Sequence, residues 1–255
     1  MENLRTASLC FRLSAMVCAA WLPGSMPSGR AQTQDPDPSR AVIRRMTQMN
    51  EARRRALVAY HAERRYVAEN GHFALRAEVA VNEAYSAGEK EFQIVSETGS
   101  PFIRRKVIDK LIDAEVDAGT KENHDQSQIA PENYVFRQTG TDVISGRTSY
   151  VFEVIPKAAK KYLMRGRVWI DAEDFAIVRM EGSPAKNPSF WTRKTHFVRT
   201  YEKHGVFWLP ASVESDSDIL IAGKSTLKIN YSGYKIDSAA DAALLVETAA
   251  KQGGF

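Results

Sequence analysis

The chain has 255 residues, with 35 Lys and Arg against 31 Asp and Glu, and its formal net charge of +4 is spread along its length. So mild and scattered an excess gives no case for nucleic-acid binding. Both cysteines, Cys10 and Cys18, fall within the first 31 residues, so the remainder holds no disulfide and no cysteine metal site, and it is long enough to bury a core without them.

The first 31 residues read as an export signal. Arg5 and Arg12 make a basic start, Leu13 to Leu22 is an apolar run, and Gly29 and Ala31 supply the small residues of a signal-peptidase cut. The run is about half of the ~20 residues that span a bilayer. Cleavage near Ala31 and a periplasmic location are expected. A lipid anchor on Cys18 is the rival, but Ala15-Met16-Val17 before it lacks the leucine and small-residue pair of such a site.

Residues 32–38, QTQDPDP, form a polar linker ahead of the main domain, 39–237. Ser39 can cap a helix over about 40–55, in which Val42, Ile43, Met46 and Met49 recur at helical spacing. The period then changes. Val58, Tyr60, Ala62 and Tyr66 lean to one face of a strand, residues 78–85 alternate, and 91–95 follow a turn at Ala87-Gly88. Ser100-Pro101 opens a second helix with the apolar stripe Ile103, Val107, Ile108, Leu111, Ile112 and Val116. The basic runs 53–55 and 104–106 read as solvated helix faces, contact with anionic headgroups being the sharper alternative.

Residues 118–131 read as a loop, and from 132 the pattern is almost all strand: 134–138, 148–155, 162–170, 175–181, 191–202, 206–213 and 218–236. The expected turns are Thr139-Gly140, Asp171–Asp174 and His204-Gly205. Residues 238–255 read as a tail or short helix. Strands joined by short turns are antiparallel, and long ones must curl. The expected class is mainly β with α (α+β): a half-open antiparallel β-barrel or curled sheet covered by amphipathic helices.

Candidate ligand walls follow from the 165–181 hairpin. An even turn across Asp171–Asp174 sets Ile170 opposite Phe175 and Val168 opposite Ile177, an apolar face that packs on a helix or lines a ligand. Met46, Met49, Ile108 and Leu111 on the two helices would cover it; methionine suits an adaptable cover. On this reading Ile170→Asp abolishes ligand retention without unfolding the sheet.

Catalytic signals are weak. Ser183-Pro-Ala-Lys186 has the S-x-x-K spacing, but Asn187-Pro188 would stop a helix at once and the companion motifs are absent. It reads as a corner between strands, and the chain as a non-enzyme. The five histidines are scattered, and no metal or cofactor motif stands out.

The run GRVWIDAEDFAIVRMEGSPAKNPSFW from Gly166 to Trp191, with FWLP at Phe207–Pro210 and LKINYSGYKI at Leu227–Ile236, resembles the outer-membrane lipoprotein-sorting family, and more narrowly an exported group related to the carrier LolA. The similarity spans about Ala41 to Ile236. It implies a half-open barrel with a helical lid, holding acyl chains of a lipid or lipoprotein and working with an outer- or inner-membrane protein. It implies no catalytic residues. The arginine that the best-known carrier links to lid opening has no counterpart identifiable by motif. The expected function is a periplasmic acyl-chain carrier or chaperone, monomeric and without cofactor. The alternative is a non-catalytic envelope sensor that touches a protein partner.

Overall fold

The computed structural model describes residues 37–86, 88–119, 126–187, 192–220, 223–239 and 242–252. The expected signal peptide, most of the linker and residues 188–191, the last part of the expected corner between strands, lie outside them.

Helix α1 (Pro38–Ala56) begins one residue ahead of the expected cap. Asp37 is the N-cap, accepting from Ser39 N, and Pro38 takes the first helical position, where its missing N–H costs nothing. Ala41, Val42, Ile43, Met46, Met49, Ala52, Arg53 and Ala56 form one buried stripe. Arg53 is therefore not solvated as expected. It donates to the carbonyls of Val206 and Asp174, and its burial lowers its pKa to about 10 despite the nearby Asp174 and Asp171. Arg54 pairs with Glu51 at the surface.

Among the described residues, ten antiparallel strands make one sheet: β1 (Leu57–Asn70), β2 (Leu75–Ser86), β3 (Glu89–Gly99), β4 (Tyr134–Ile144), β5 (Arg147–Pro156), β6 (Met164–Asp171), β7 (Ile177–Pro184), β8 (Thr192–His204), β9 (Phe207–Ile219) and β10 (Gly223–Ser238). The order is β3-β2-β1-β10-β9-β8-β7-β6-β5-β4, so the sheet is curled but unclosed, with β3 and β4 as its edges. The expected α+β class and half-open form are met.

Turn chemistry moves several boundaries. Thr139-Gly140 is not a turn but a bulge within β4. The reversal comes at Ser145-Gly146, both with positive φ, as a two-residue hairpin turn of the right twist requires. The polar run Glu214–Asp218 continues β9, where Ser217 pairs through its hydroxyl with Thr195 and Glu214 pairs with Lys228. At Asp171 the side chain accepts from the amides of Glu173 and Asp174, and Phe175 takes φ 49. The loop therefore runs longer than an even four-residue turn, and a bulge follows. Ile170 faces Ile177 and Val168 faces Met180, rather than Phe175 and Ile177.

Gly166 and Gly182 pair across β6 and β7. A Cβ on Gly182 would collide with the carbonyl oxygen of Arg165 and press on the Met164 side chain. Two bare backbones thus meet at close range across this ladder.

The second helical segment is three pieces: α2 (Pro101–Ile103), a π-helical turn (Arg104–Ile108) and α3 (Asp109–Gly119). Ser100 caps it as expected, accepting from Ile103 N. The wide turn shifts the apolar stripe. Ile103 and Ile108 are buried, whereas Val107 and Val116 are exposed. Near the C-terminus, α4 (Ala242–Gln252) packs Ala242 with Ala56, Phe207 and Leu209.

Candidate binding face of the sheet

Directly opposed residues in an antiparallel ladder share a face. One row therefore crosses eight strands on a single face: Phe152, Val168, Met180, Arg199, Val213, Ile229, Tyr66 and Val79. At one end, Phe152 and Val168 pack with Val42, Ile43 and Met46 of α1. At the other, Tyr66, Val79, Val213 and Ile229 pack with Ile103 and Ile108 of the α2–α3 segment. Both helical covers thus lie on the same face. The opposite face carries a smaller cluster of Val151, Trp169 and Val178.

The eight residues proposed from sequence divide between the two covers. Met46, Val168 and Ile170 belong to the cluster under α1, with Phe175 and Ile177 packed against it. Met49 is buried on α1. Ile108 belongs to the second cluster, and Leu111 packs against it. Ile170 is fully buried, so Ile170→Asp would confine an unpaired carboxylate in the core at a cost of several kcal/mol. The variant would test folding before it tested a wall.

Two clefts among the described residues are lined by none of those eight. One, of about 580 Å³, lies against β10, β1, β2 and β3 and is lined by His61, Glu63, Asn82 and Lys235 together with Glu83 and Phe92. The other, about 370 Å³, lies beside Asp117 and is lined by Lys160, Lys161 and Lys186. Ser183, paired with Arg165 in the β6–β7 ladder, stays within the strand end. Among the described residues, no group of three or more His, Cys, Asp or Glu side chains could hold a metal ion.

What sequence reasoning missed is an ionic cluster among these apolar groups. Arg64 on β1 is 2% exposed. Its Nε and Nη2 donate to both oxygens of Glu83 at 2.5 Å, and its Nη1 donates to Glu115 of α3 at 2.7 Å and to the Tyr66 hydroxyl at 3.1 Å. Tyr60 donates to Glu83, and Lys90 lies 3.3 Å from Glu83 and 3.6 Å from Glu115. Phe92 and Tyr231 offer ring faces to the Arg64 guanidinium at 4.8 and 4.7 Å.

Burial works against the charge on Arg64, but Glu115, Tyr231 and Glu83 more than restore it, holding its pKa above the ordinary value. Burial likewise pushes the Glu115 carboxyl up, while Arg64, Lys90 and Arg199 pull it further down, to a net value below the usual carboxylate range. The signal was present in the sequence. Arg64 is in phase with Tyr60, Ala62, Tyr66 and Ala68, and Glu83 with Val79 and Val81, so both stand on the buried side of their strands.

No family model and no curated protein matches the chain. Among solved structures it is similar to a DUF1329 family protein from Desulfovibrio piger, at 15% identity over 81% of this chain and 96% of that one, with a TM-score of 0.40. It is also similar to a putative outer membrane lipoprotein-sorting protein domain from Vibrio parahaemolyticus, at 12% identity over 79% and 97%, with a TM-score of 0.38. A LolA superfamily protein from Nitrosomonas europaea follows at 10% identity over 80% and 95%, with a TM-score of 0.36. Two of the three carry the descriptions that the sequence resemblance named. At such scores the likeness is loose and carries none of the functional reading.

Proposed function

We propose that the chain is a non-catalytic envelope protein that shelters acyl chains, of a lipid or a lipoprotein, between one face of its open sheet and the helices lying on that face. The observation behind this reading is the row from Phe152 to Val79, apolar or aromatic but for Arg199, which runs beneath two separate helical covers rather than one fused core. An unclosed sheet can release a cover without breaking its ladder. Lifting either helix would offer contiguous apolar surface, and each buried CH₂ contributes ~0.8 kcal/mol. The π-helical turn supports the same reading, because such turns interrupt regular packing within a cover.

A periplasmic location, a carrier's donor and acceptor proteins, and the absence of catalysis are parts of this proposal. A second reading, an envelope sensor that touches a protein partner, is favoured by Ile94 and Val95, half-exposed on edge strand β3. Native mass spectrometry of protein prepared gently from its own compartment, followed by lipid extraction, separates the two. A stoichiometric added mass that resolves to acyl chains supports the carrier. An apo mass unchanged by lipids and lipopeptides overturns it in favour of the sensor.

A further inference from the structure

Over its eight strands, from Phe152 to Val79, the row is apolar or aromatic at every position but one. Arg199 stands between Met180 of β7 and Val213 of β9, on the same face as both. It falls between the two covers, since Met180 packs against the α1 cluster and Val213 belongs to the α2–α3 cluster. It is half-buried, and no carboxylate of the described residues forms an ion pair with it. Its polar neighbours are the Tyr201 hydroxyl, Tyr231 and, at longer range, Glu115. Glu115 is already shared by Arg64 and Lys90. Three cations, Arg64, Lys90 and Arg199, thus share two carboxylates, Glu83 and Glu115, and the surplus positive charge falls on Arg199, which has no carboxylate in ion-pair contact among the described residues.

We propose that Arg199 is the anchor for an anionic oxygen group, phosphate or carboxylate, carried on an apolar ligand, with the Tyr201 hydroxyl beside it. The proposal rests on the acyl-chain reading above and adds the headgroup chemistry to it. A planar guanidinium without a carboxylate partner suits the two oxygens of such a group. The flanking apolar residues, Met180 and Val213, lead from the anchor into the apolar cluster under either cover, so the anion would fix the ligand's position and the chain would supply its affinity.

The test measures binding of three probes to the full chain by calorimetry: dodecyl phosphate, dodecanol and inorganic phosphate. Dodecyl phosphate is expected to bind about tenfold or more tightly than dodecanol, the preference of a charge-assisted hydrogen bond. Arg199→Met should bring the two amphiphiles within about twofold of each other, and Arg199→Lys should restore part of the preference. The wild-type contrast stands even if a variant fails to fold. Equal binding of dodecanol and dodecyl phosphate overturns the anchor and leaves the acyl-chain reading intact. Binding of inorganic phosphate alone, lost in Arg199→Met, supports the anchor as a free-anion site and overturns the acyl-chain reading. No binding of any probe overturns both.

Discussion

Arg64 and Glu115 meet at 2.7 Å across the boundary between the sheet and its helical cover, and this pair joins α3 to the buried ionic cluster. Glu83 on the other side of Arg64 belongs to the sheet itself. One guanidinium therefore does two jobs, one internal to the sheet and one that holds the cover.

Removing only the second job should loosen the cover alone. Glu115→Gln keeps the shape but loses the charge, at about 1.5–3 kcal/mol. Amide exchange across residues 109–119 should rise, while β1 and β2 stay protected. Uniform acceleration over the whole sheet would mean that α3 is part of the global fold rather than a separable cover.

The same pair sets an acid limit. The folded Glu115 carboxyl titrates below its unfolded value, so its contribution is complete above the ordinary glutamate pKa of about 4.3 and is lost as pH falls through the lower folded value. Exchange of α3 amides should be flat in its pH-corrected rate from neutral pH to about 5 and should rise only below about 4. A transition near pH 6 would point to a different group.

Within the sheet, breaking the buried pair from one side leaves an uncompensated charge. Glu83→Leu and Arg64→Met should each cost about 3–5 kcal/mol in urea unfolding, and the double variant less than the two singles added together. Additive losses would show that the two side chains are not coupled.

Backbone approach gives a sharper contrast. Gly182→Ala has no room against the Arg165 carbonyl and the Met164 side chain, so it should destabilise by about 1–3 kcal/mol or more. Tyr134→Phe, which strips the hydroxyl that accepts from the buried Met164 amide at 2.9 Å, should cost about 1–3 kcal/mol. Both are read from the midpoint of chemical denaturation, and an unchanged midpoint in either variant removes the constraint assigned to it.

The helices and most strands could be read from periodicity, because Val42, Ile43 and Met46 or Tyr66 and Ala68 repeat at the spacing of their own element. Pairing could not, since β1 meets β10 from the far end of the chain and no local pattern encodes that. The Ile170 register failed for a local reason: the Asp171 side chain captures two amides and lengthens the turn. The candidate walls came from apolar residues alone, so Arg64, Glu83 and Arg199 were passed over. An arginine in phase with a buried face looks like noise until its carboxylate partner, Glu83 on the next strand, is placed diagonally from it on the same face, opposite Ala62.

The cover α2–α3 also has a place in the chain's path. It leaves β3 at Gly99 and its continuation enters β4 at Tyr134, and those strands are the two opposite margins of the sheet. Measured along ten strands at ~4.8 Å spacing, the margins are about 40 Å apart. One stretch of chain therefore links the two margins by way of the cover, and Glu115, bound to Arg64 of β1, lies on that stretch, so a single ion pair ties the connection between the rims to the middle of the sheet.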